Sequence, residues 1–408
     1  MNVSIWRYVW VAILTMFVFT SRAQNQVYVK ELSGRYENHK QHDAINYQPV
    51  AELIQGKRVA GFGESSHGTW DFYYINTELI KYMVSHKLCS AVILEVPFVQ
   101  GLKINEFVTT GQGNIKDLMN GIGKPPPVKD LVEWLREYNL KPENSAAPVQ
   151  FYGMDVQGSK KNAYEYLNSC VSKGGAAAFP QMDALLKAGN SKKDTLLNAY
   201  IAHVEGPLKK LRDTDLLAYK ENKTCEILLN VLKQSKDFDA AGPFAFAKIR
   251  DKFLAENVAF IERNLIPNGK TIFVWAHNGH IRSGGKSMLQ VPMGHHLKQE
   301  YGEQYASVAL DFVGGSVFVM KNSGTTVNVT ENKESKFIRN LTNPASEGVL
   351  LFNITGPRLE NSLPVNFPNS YKLHSYDVSE KTASFKTKED FDAIILINNV
   401  RSLYEVKH

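Results

Sequence analysis

The sequence lacks the short motifs that mark several well-known classes of metal-binding and catalytic protein. It has three cysteines in 408 residues, and none of them forms a Cys-x-x-Cys pair, which excludes a zinc knuckle and a thioredoxin-like site. No His-Glu-x-x-His pattern is present, so the metal-binding helix of a zinc peptidase is not indicated. No Gly-x-Ser-x-Gly elbow surrounds Ser65 or Ser66, which argues against the serine-elbow fold.

Strong charge and long apolar runs are also missing from most of the chain. The formal net charge is +6 at pH 7, and no cluster of lysine and arginine is interleaved with aromatic residues, so we expect no nucleic-acid partner. Beyond the first 23 residues, no run is long and apolar enough to cross a bilayer. Hydrophobic residues make up 43% of the chain and charged residues 22%, which is an ordinary composition for a globular protein.

Residues 1–23 have the layout of a secretory signal peptide. Arg7 precedes an apolar run at 8–20, and the small residues Ser21 and Ala23 stand just before Gln24, where cleavage is expected. We therefore predict export to the periplasm or the exterior, with no stable membrane anchor after cleavage. An uncleaved N-terminal anchor is the alternative. Removing residues 1–23 takes away two arginines and no acid, which leaves a mild charge of +4.

Export would permit one disulfide bond among the three cysteines. Cys170 and Cys225 are the candidate pair, and the odd count leaves one thiol over. Cys89 stands beside a predicted strand, so we expect it to be a buried small hydrophobic residue.

The pattern of apolar residues predicts an α/β fold. Strands are predicted at 57–62, 91–96, 149–153, 271–276, 306–312, 316–320, 349–352 and 393–397. Helical spacing covers 70–86, 98–108, 128–138, 184–199, 200–218, 225–236 and 246–261. The alternation favours a mostly parallel central sheet flanked by helices. Since no clear strand occurs at 160–265, we predict a core of 24–159 and 266–408, with 160–265 as a helical insertion or cap subdomain.

Polar side chains follow four of the predicted strands. Glu64 and His67 follow the first, Glu95 ends the second, Asp155 follows the third, and His277 and His280 follow the fourth. Ligands of open α/β sheets bind at the carboxyl ends of the strands. The sequence therefore predicts that these side chains converge on one edge of the sheet.

The turn that contains Glu64 and His67 is the first candidate for chemistry. A histidine can act as a base near neutral pH, and a nearby carboxylate would orient its ring. The structural alternative is that Glu64 or Ser66 caps the next helix while His67 packs at its start. Ser65 or Ser66 could also be a nucleophile, but adjacent side chains such as those of Ser66 and His67 rarely face each other.

The second and fourth strand ends offer the remaining candidates. Glu95 lies in an apolar strand, and a buried acid needs a partner, so it belongs either to a site or to a structural ion pair. His277 and His280 could bind a metal together, or they could supply an acid or base and an oxyanion donor. Asn278 could donate as well. A metal site would use these histidines with His67 and an acid.

Further residues have open interpretations. Arg250 either forms a structural pair with Asp251 or faces the substrate. His295 and His296 line an entrance or begin a helix. For Asp155, a role in a turn or helix cap is at least as well indicated as catalysis.

At these segments the sequence resembles the erythromycin esterase family. The matching stretches are GFGESSH (61–67), LE (94–95), WLREY (134–138), YGMD (152–155), RD (250–251), AHNGH (276–280), VPMG (291–294) and FDAI (391–394). Their order agrees from about residue 45 to the end. The resemblance implies an α/β core, a helical subdomain, a cleft between them, and hydrolysis of a macrolide lactone without a tightly bound metal.

The resemblance also implies roles for individual residues. His67 corresponds to the histidine that deprotonates water, and Glu64, Glu95, His277 and His280 correspond to its catalytic partners. Asn76 stands where some members that open macrolides carry an arginine, which weakens the expectation of a macrolide substrate. We expect four residues to contact the substrate: Asn76, Arg250, Asn278 and His295.

The sequence thus predicts an exported hydrolase that opens a carboxylic ester or macrolide lactone with histidine-activated water and no cofactor. Its expected partner is a small ester or lactone. Two alternatives stay open: a metal-dependent hydrolase or peptidase that uses the same histidines and glutamates, and an exported binding protein without catalysis.

Overall fold

The computed structural model describes the following residues of the chain: 27–33, 45–122, 125–158, 160–188, 194–214, 219–242, 245–266, 270–285, 290–319, 325–329, 333–342, 348–369, 371–375, 383–403 and 405. The predicted signal peptide lies outside this part. The chain divides into two compact units, each described by itself. Unit 1 contains residues 1–53, 65–69 and 308–408, and unit 2 contains residues 54–64 and 70–307.

The strands, numbered in chain order, are β1 (Val27–Glu31), β2 (Val59–Phe62), β3 (Cys89–Pro97), β4 (Gln150–Asp155), β5 (Thr271–Trp275), β6 (Tyr305–Val319), β7 (Thr325–Val329), β8 (Leu350–Asn353), β9 (Leu363–Val365), β10 (Lys372–Ser375), β11 (Ala383–Lys386) and β12 (Ala393–Val400). The helices are α1 (Gln48–Ile54), α2 (Trp70–Ser85), α3 (Phe98–Thr110), α4 (Ile115–Ile122), α5 (Pro126–Asn139), α6 (Pro142–Ser145), α7 (Lys160–Ser172), α8 (Met182–Ala188), α9 (Asp194–Asp213), α10 (Tyr219–Ala240), α11 (Phe246–Asn264), α12 (Asn278–Ile281), α13 (Met293–Tyr301), α14 (Lys333–Asn340) and α15 (Thr387–Asp390).

Unit 2 is built on four parallel strands in the order β4-β3-β5-β2. Their apolar residues are almost completely buried, as Val92 and Ile93 in β3 show, which is expected of a parallel sheet covered on both faces. Helix α3 packs closely on β4, because a Cβ atom at Gly101 would lie only 1.9 Å from the nitrogen of Gly153. This part of the molecule has the parallel, helix-flanked sheet that the sequence predicts.

Residues 160–264 of unit 2 form five helices, α7 to α11, and contain no strand within the described residues. Cys170 in α7 and Cys225 in α10 form a disulfide bond, and Cys89 is a free, buried cysteine, so the predictions for all three cysteines are confirmed. The predicted helix boundary after residue 199 is wrong, because α9 continues from Asp194 to Asp213. Tyr200 is buried in the middle of that helix. The limits of the helical insertion stay a prediction.

Unit 1 carries strands in the order β6-β12-β8-β1-β9, with β7 paired to β6. Strand β12 is parallel to β6 and antiparallel to β8, and β1 is antiparallel to both of its neighbours. The predicted break between strands at 306–312 and 316–320 is wrong, since β6 runs unbroken from Tyr305 to Val319. Gly315 has a φ of +117° and is still paired with Val400, so the glycine changes the local backbone without ending the strand.

Both units combine helices with strands, and the α/β class is confirmed. No described helix is long and apolar enough to cross a membrane.

Candidate active site

The carboxyl ends of three neighbouring strands place the candidate residues of unit 2 together. The order β3-β5-β2 brings Glu95 in β3 next to His277, just after β5, and Glu64, just after β2. The backbone confirms this proximity, since the nitrogen of Asn278 donates to the carbonyl oxygen of Glu64 at 2.9 Å. The nitrogen of His277 donates to Oε2 of Glu95 at 3.1 Å. The convergence predicted from the sequence is therefore present for Glu64, Glu95 and His277.

Arg250, on helix α11, links the ends of strands β3 and β4 through ion pairs. Its Nη2 donates to Oε1 of Glu95 at 2.8 Å and to Oδ2 of Asp155 at 2.5 Å. Only 15% of the Arg250 side chain is exposed. Burial lowers the pKa of Arg250, but the charges of Glu95 and Asp155 outweigh it and raise the pKa above its ordinary value. Arg250 is therefore a fixed cation, and Asp251 is not its ion-pair partner.

His280 lies between two carboxylates. Its Nδ1 is 2.6 Å from Oδ1 of Asp251, and its Nε2 is 3.4 Å from Oε1 of Glu95. Burial lowers its pKa, but the charges and hydrogen bonds of Asp251 and Glu95 prevail and raise the pKa of His280 to about 10. His280 is therefore a cation at neutral pH, which suits the stabilisation of negative charge and not the removal of a proton.

His277 precedes the short helix α12 and acts as its N-cap. Its Nδ1 accepts a hydrogen bond from the nitrogen of Gly279 at 3.2 Å, so the proton of a neutral ring lies on Nε2. The turn at Gly63, which follows β2, packs closely against the start of α12. A Cβ atom at Gly63 would lie 1.8 Å from Oδ1 of Asn278, so only glycine permits the approach.

Glu64 is held in place by aromatic residues. It is 1% exposed, and Nε1 of Trp275 donates to its Oε2 at 3.0 Å. The ring of Tyr73 lies 5.3 Å from the ring of Trp275. Burial, followed by the charges of Glu64 and Glu95, raises the pKa of Tyr73 well above its ordinary range, so its hydroxyl keeps its proton.

Three other predicted residues have structural contacts. Asn76 is completely buried, and its Nδ2 donates to the carbonyl oxygen of Gly63 at 3.1 Å. Asp155 Oδ1 accepts from the nitrogen of Gln157 at 3.1 Å, so the turn indicated by the sequence is present together with the Arg250 ion pair. His295 lies in the first turn of α13, with Nδ1 at 3.0 Å from the carbonyl oxygen of Ser283.

His67 belongs to unit 1 and is half-buried. The hydroxyls next to it are occupied. Ser65 Oγ donates to the carbonyl oxygen of Leu310 at 2.5 Å, and Ser66 Oγ donates to that of Phe318 at 3.0 Å. Both serines are fully buried. These contacts hold the backbone that leads into His67 and argue against a serine nucleophile.

The sequence did not reveal the roles of Asp251, Trp275 and Tyr73. Asp251 holds His280 and also accepts from the nitrogen of Met293 at 3.0 Å. The adjacent charged pair Arg250–Asp251 stood out in the sequence. Its ion-pair partners lie on other segments of the chain, so only the fold identifies these partners. Among the described residues, no group of three or more His, Cys, Asp or Glu side chains could hold a metal ion.

A parallel sheet with buried arginine, histidine and carboxylate groups at its strand ends is typical of an enzyme that uses acid–base and electrostatic catalysis. A family model described as Erythromycin esterase matches residues 84–400, which is well over half of the chain. The chain therefore belongs to the erythromycin esterase family. The matched range includes Glu95, Arg250, His277 and His280, and it begins after Glu64 and His67.

Known proteins agree with this assignment. The chain is 23% identical over 318 residues to erythromycin esterase type II of Escherichia coli, covering 68% of this chain and 74% of the relative. A crystal structure of a Bacillus cereus protein has a TM-score of 0.74 at 20% identity, with coverage of 92% and 96%. An erythromycin esterase mutant, EreC in its open conformation, has a TM-score of 0.64 at 17% identity, with coverage of 88% and 95%. The two structures show the shared fold, and the family assigns this chain to the hydrolases.

Proposed function

We propose that this protein is an exported hydrolase that opens a carboxylic ester or lactone with water activated by His67. The observation that carries the proposal is the position of His280, a cation held between Asp251 and Glu95 beside Arg250. Fixed positive charge at a strand end is what the tetrahedral oxyanion of ester hydrolysis requires.

In the proposed reaction, His67 takes a proton from water, and the resulting hydroxide attacks the carbonyl carbon. The oxyanion that forms accepts a hydrogen bond from Nε2–H of His277, while His280 and Arg250 offset the negative charge of the buried carboxylates beside it. When the intermediate collapses, the C–O bond to the alcohol breaks, and the alcohol oxygen receives the proton from His67. The products are an acid and an alcohol, or a hydroxy acid if the substrate is a lactone.

The remaining residues position these groups in this proposal. Both oxygens of Glu95 have partners, one with Arg250 and one with the nitrogen of His277. Glu95 therefore organises the site instead of taking a proton from water. Glu64, held by Trp275, keeps the catalytic role that the family resemblance implies. Asn278 and His295 remain candidate substrate contacts.

The proposed substrate is a small ester, with a macrolide lactone as the first compound to test. The name of the Escherichia coli relative, erythromycin esterase type II, supports that choice. Asn76 argues for a broader panel, because it is buried and bonded to Gly63 and supplies no positive charge. We therefore propose the ester class as the substrate and test the macrolide as one member of that panel.

Export is proposed from the signal-like residues 1–23, and the disulfide between Cys170 and Cys225 supports it, since such bonds persist in oxidising compartments. Expression of the full chain in a bacterium, followed by fractionation and N-terminal sequencing, tests this. Export predicts a mature chain that begins at Gln24 outside the cytoplasm. A full-length cytoplasmic product would overturn it.

The direct test is incubation of the purified protein with erythromycin and a panel of acyl esters, monitored by mass for the addition of one water. We expect His67→Ala and His67→Asn to lose about 10²–10⁴-fold in kcat/KM, the usual contribution of a general base. The matched control is His86→Ala, which removes an exposed histidine outside the site. If kcat/KM falls by no more than about tenfold in both His67 variants, about 1.4 kcal/mol, His67 is not the general base.

A further inference from the structure

Unit 2 contains a cavity next to the candidate active site that the proposed chemistry does not use. It has a volume of about 220 Å³ and lies beyond the ends of β3 and β4, with the start of α3 and helices α7 and α10 as its other walls. Asp155 lines this cavity and also binds Arg250, so the cavity and the candidate active site share a residue. Complete ligand sites typically measure about 300–1,000 Å³, so this one suits part of a ligand.

The cavity combines apolar walls with polar groups that have no protein partner. Phe98 and Leu232 are among its buried apolar residues. Within the described part of the chain, the side chains of Asn162 and Ser235 make no hydrogen bond, although Ser235 is only 6% exposed. Gln100 donates to the carbonyl oxygen of Leu118 at 3.0 Å, which leaves its side-chain oxygen as an acceptor. Such groups on an apolar surface fix the orientation of a bound ligand.

Both charged residues that line the cavity are already paired. Lys160 forms an ion pair with Asp239, and only 10% of its side chain is exposed. Asp155 is bound by Arg250. A charged ligand would find no unpaired charge of opposite sign in the cavity, and burying an unpaired charge is unfavourable. The cavity therefore fits an uncharged ligand that offers hydroxyl groups as donors and acceptors.

The walls of the cavity are held together on both sides. Helices α7 and α10 are linked by the Cys170–Cys225 disulfide and by the Lys160–Asp239 ion pair. The disulfide lies seven residues from Ala163 in one helix and seven from Leu232 in the other, which is about 10 Å along each helix. Because both links are already formed before a ligand binds, binding requires little ordering of the cavity walls.

We propose that this cavity is a subsite for a carbohydrate alcohol, so that the substrates include acyl esters of sugars. The sugar ring would occupy the cavity, with its hydroxyls on Asn162, Ser235 and Gln100, while the ester lies toward Arg250. This inference rests on the proposed ester hydrolysis.

The test compares two acetate esters that share the acyl group and differ in the alcohol: methyl 6-O-acetyl-glucopyranoside and cyclohexylmethyl acetate. In the double variant Asn162→Ala/Ser235→Ala, we expect KM for the sugar ester to rise about tenfold or more, with kcat little changed. Hydrolysis of the cyclohexylmethyl ester should stay within twofold. The control is Ser172→Ala/Asn230→Ala, which removes the same groups from exposed positions. Equal effects on both esters, or no effect on either, would overturn the subsite.

Direct binding separates failure of the subsite from failure of the proposed function. Methyl glucopyranoside is titrated into the wild type and both double variants, with binding followed by NMR. Binding that weakens only in Asn162→Ala/Ser235→Ala supports the subsite even if no ester is hydrolysed, in which case the hydrolysis proposal alone fails. Absence of binding to the wild type, or equal binding to all three proteins, overturns the subsite even if esters are hydrolysed.

Discussion

Oδ1 of Asp251 lies 2.6 Å from Nδ1 of His280, and this contact raises the pKa of the histidine. Asp251 is completely buried and is itself fixed by the nitrogen of Met293 at 3.0 Å and by Nε2 of Gln290 at 3.2 Å. The carboxylate therefore orients the ring and favours its charged form.

The first prediction concerns Asp251→Asn, which keeps the shape of the side chain and removes its charge. We expect the pKa of His280 to fall from about 10, because the largest source of opposing charge is lost. An NMR titration of the His280 ring measures this directly. We also expect kcat to fall about 10²-fold, in the range seen when an oxyanion donor is lost.

The matched control for this variant is Asp237→Asn, an exposed acid on α10. It should leave both the His280 titration and kcat unchanged. An Asp251→Asn protein in which His280 still titrates near 10 would show that Asp251 does not determine the charge of the histidine.

The second prediction concerns pH and stability. The pKa of folded His280 is about 10, above its ordinary value of 6.5. Protonation therefore stabilises the fold fully below about pH 6.5, and this contribution is lost as the pH rises through about 10. Arg250 Nη1 lies 3.2 Å from Nε2 of His280 and opposes its protonation, whereas Asp251 and Glu95 favour it.

The measurement is the free energy of unfolding of wild type and His280→Asn between pH 6 and pH 10. We expect the difference between the two proteins to shrink as the pH rises. A difference that stays constant over this range, or that grows, would contradict the charged state of His280 at neutral pH.

The third prediction concerns Arg250→Met. The substitution leaves Glu95 and Asp155 buried without their cation, and breaking a buried ion pair in this way costs about 3–5 kcal/mol. Denaturant unfolding measures the loss. Arg250→Lys keeps the charge but not the paired geometry, so a smaller loss is expected. The exposed Arg212 provides the control Arg212→Met, which should change stability by less than about 0.5 kcal/mol.

The fourth prediction concerns the disulfide. Cys170 and Cys225 are 55 residues apart in sequence, and a bond that closes such a loop stabilises by about 4 kcal/mol in the chain-entropy model. Cys170→Ala/Cys225→Ala should lower the free energy of unfolding by roughly that amount. Reducing agent should destabilise the wild type and have no further effect on the double variant. Cys89→Ala, which leaves the bond intact, is the control, and it should remain sensitive to reduction.

Much of the fold could be predicted from local sequence because the apolar residues of its strands and helices are regularly spaced. The apolar runs of β3 and β5 and the helical spacing of α2 correspond closely to the observed elements. The errors occurred where a local signal and tertiary contacts disagree. Gly314 and Gly315 suggest a strand end, but pairing with β12 carries β6 through them. Tyr200 lies inside helix α9 and is buried there, so its side chain belongs to the core and does not mark a helix end.

For the candidate site, the order of residues along the chain shows which chemical groups follow each strand and which family the chain resembles. A parallel sheet is enough to bring Glu64, Glu95 and His277 to one edge, since parallel strands end on the same side. The tertiary structure decided the partners. Asp251 binds His280 although 29 residues separate them, and Arg250 binds Glu95 and not its neighbour in sequence. No local pattern encodes these choices, because the distances and burial that set the charge of His280 exist only when helix α11 packs beside the sheet.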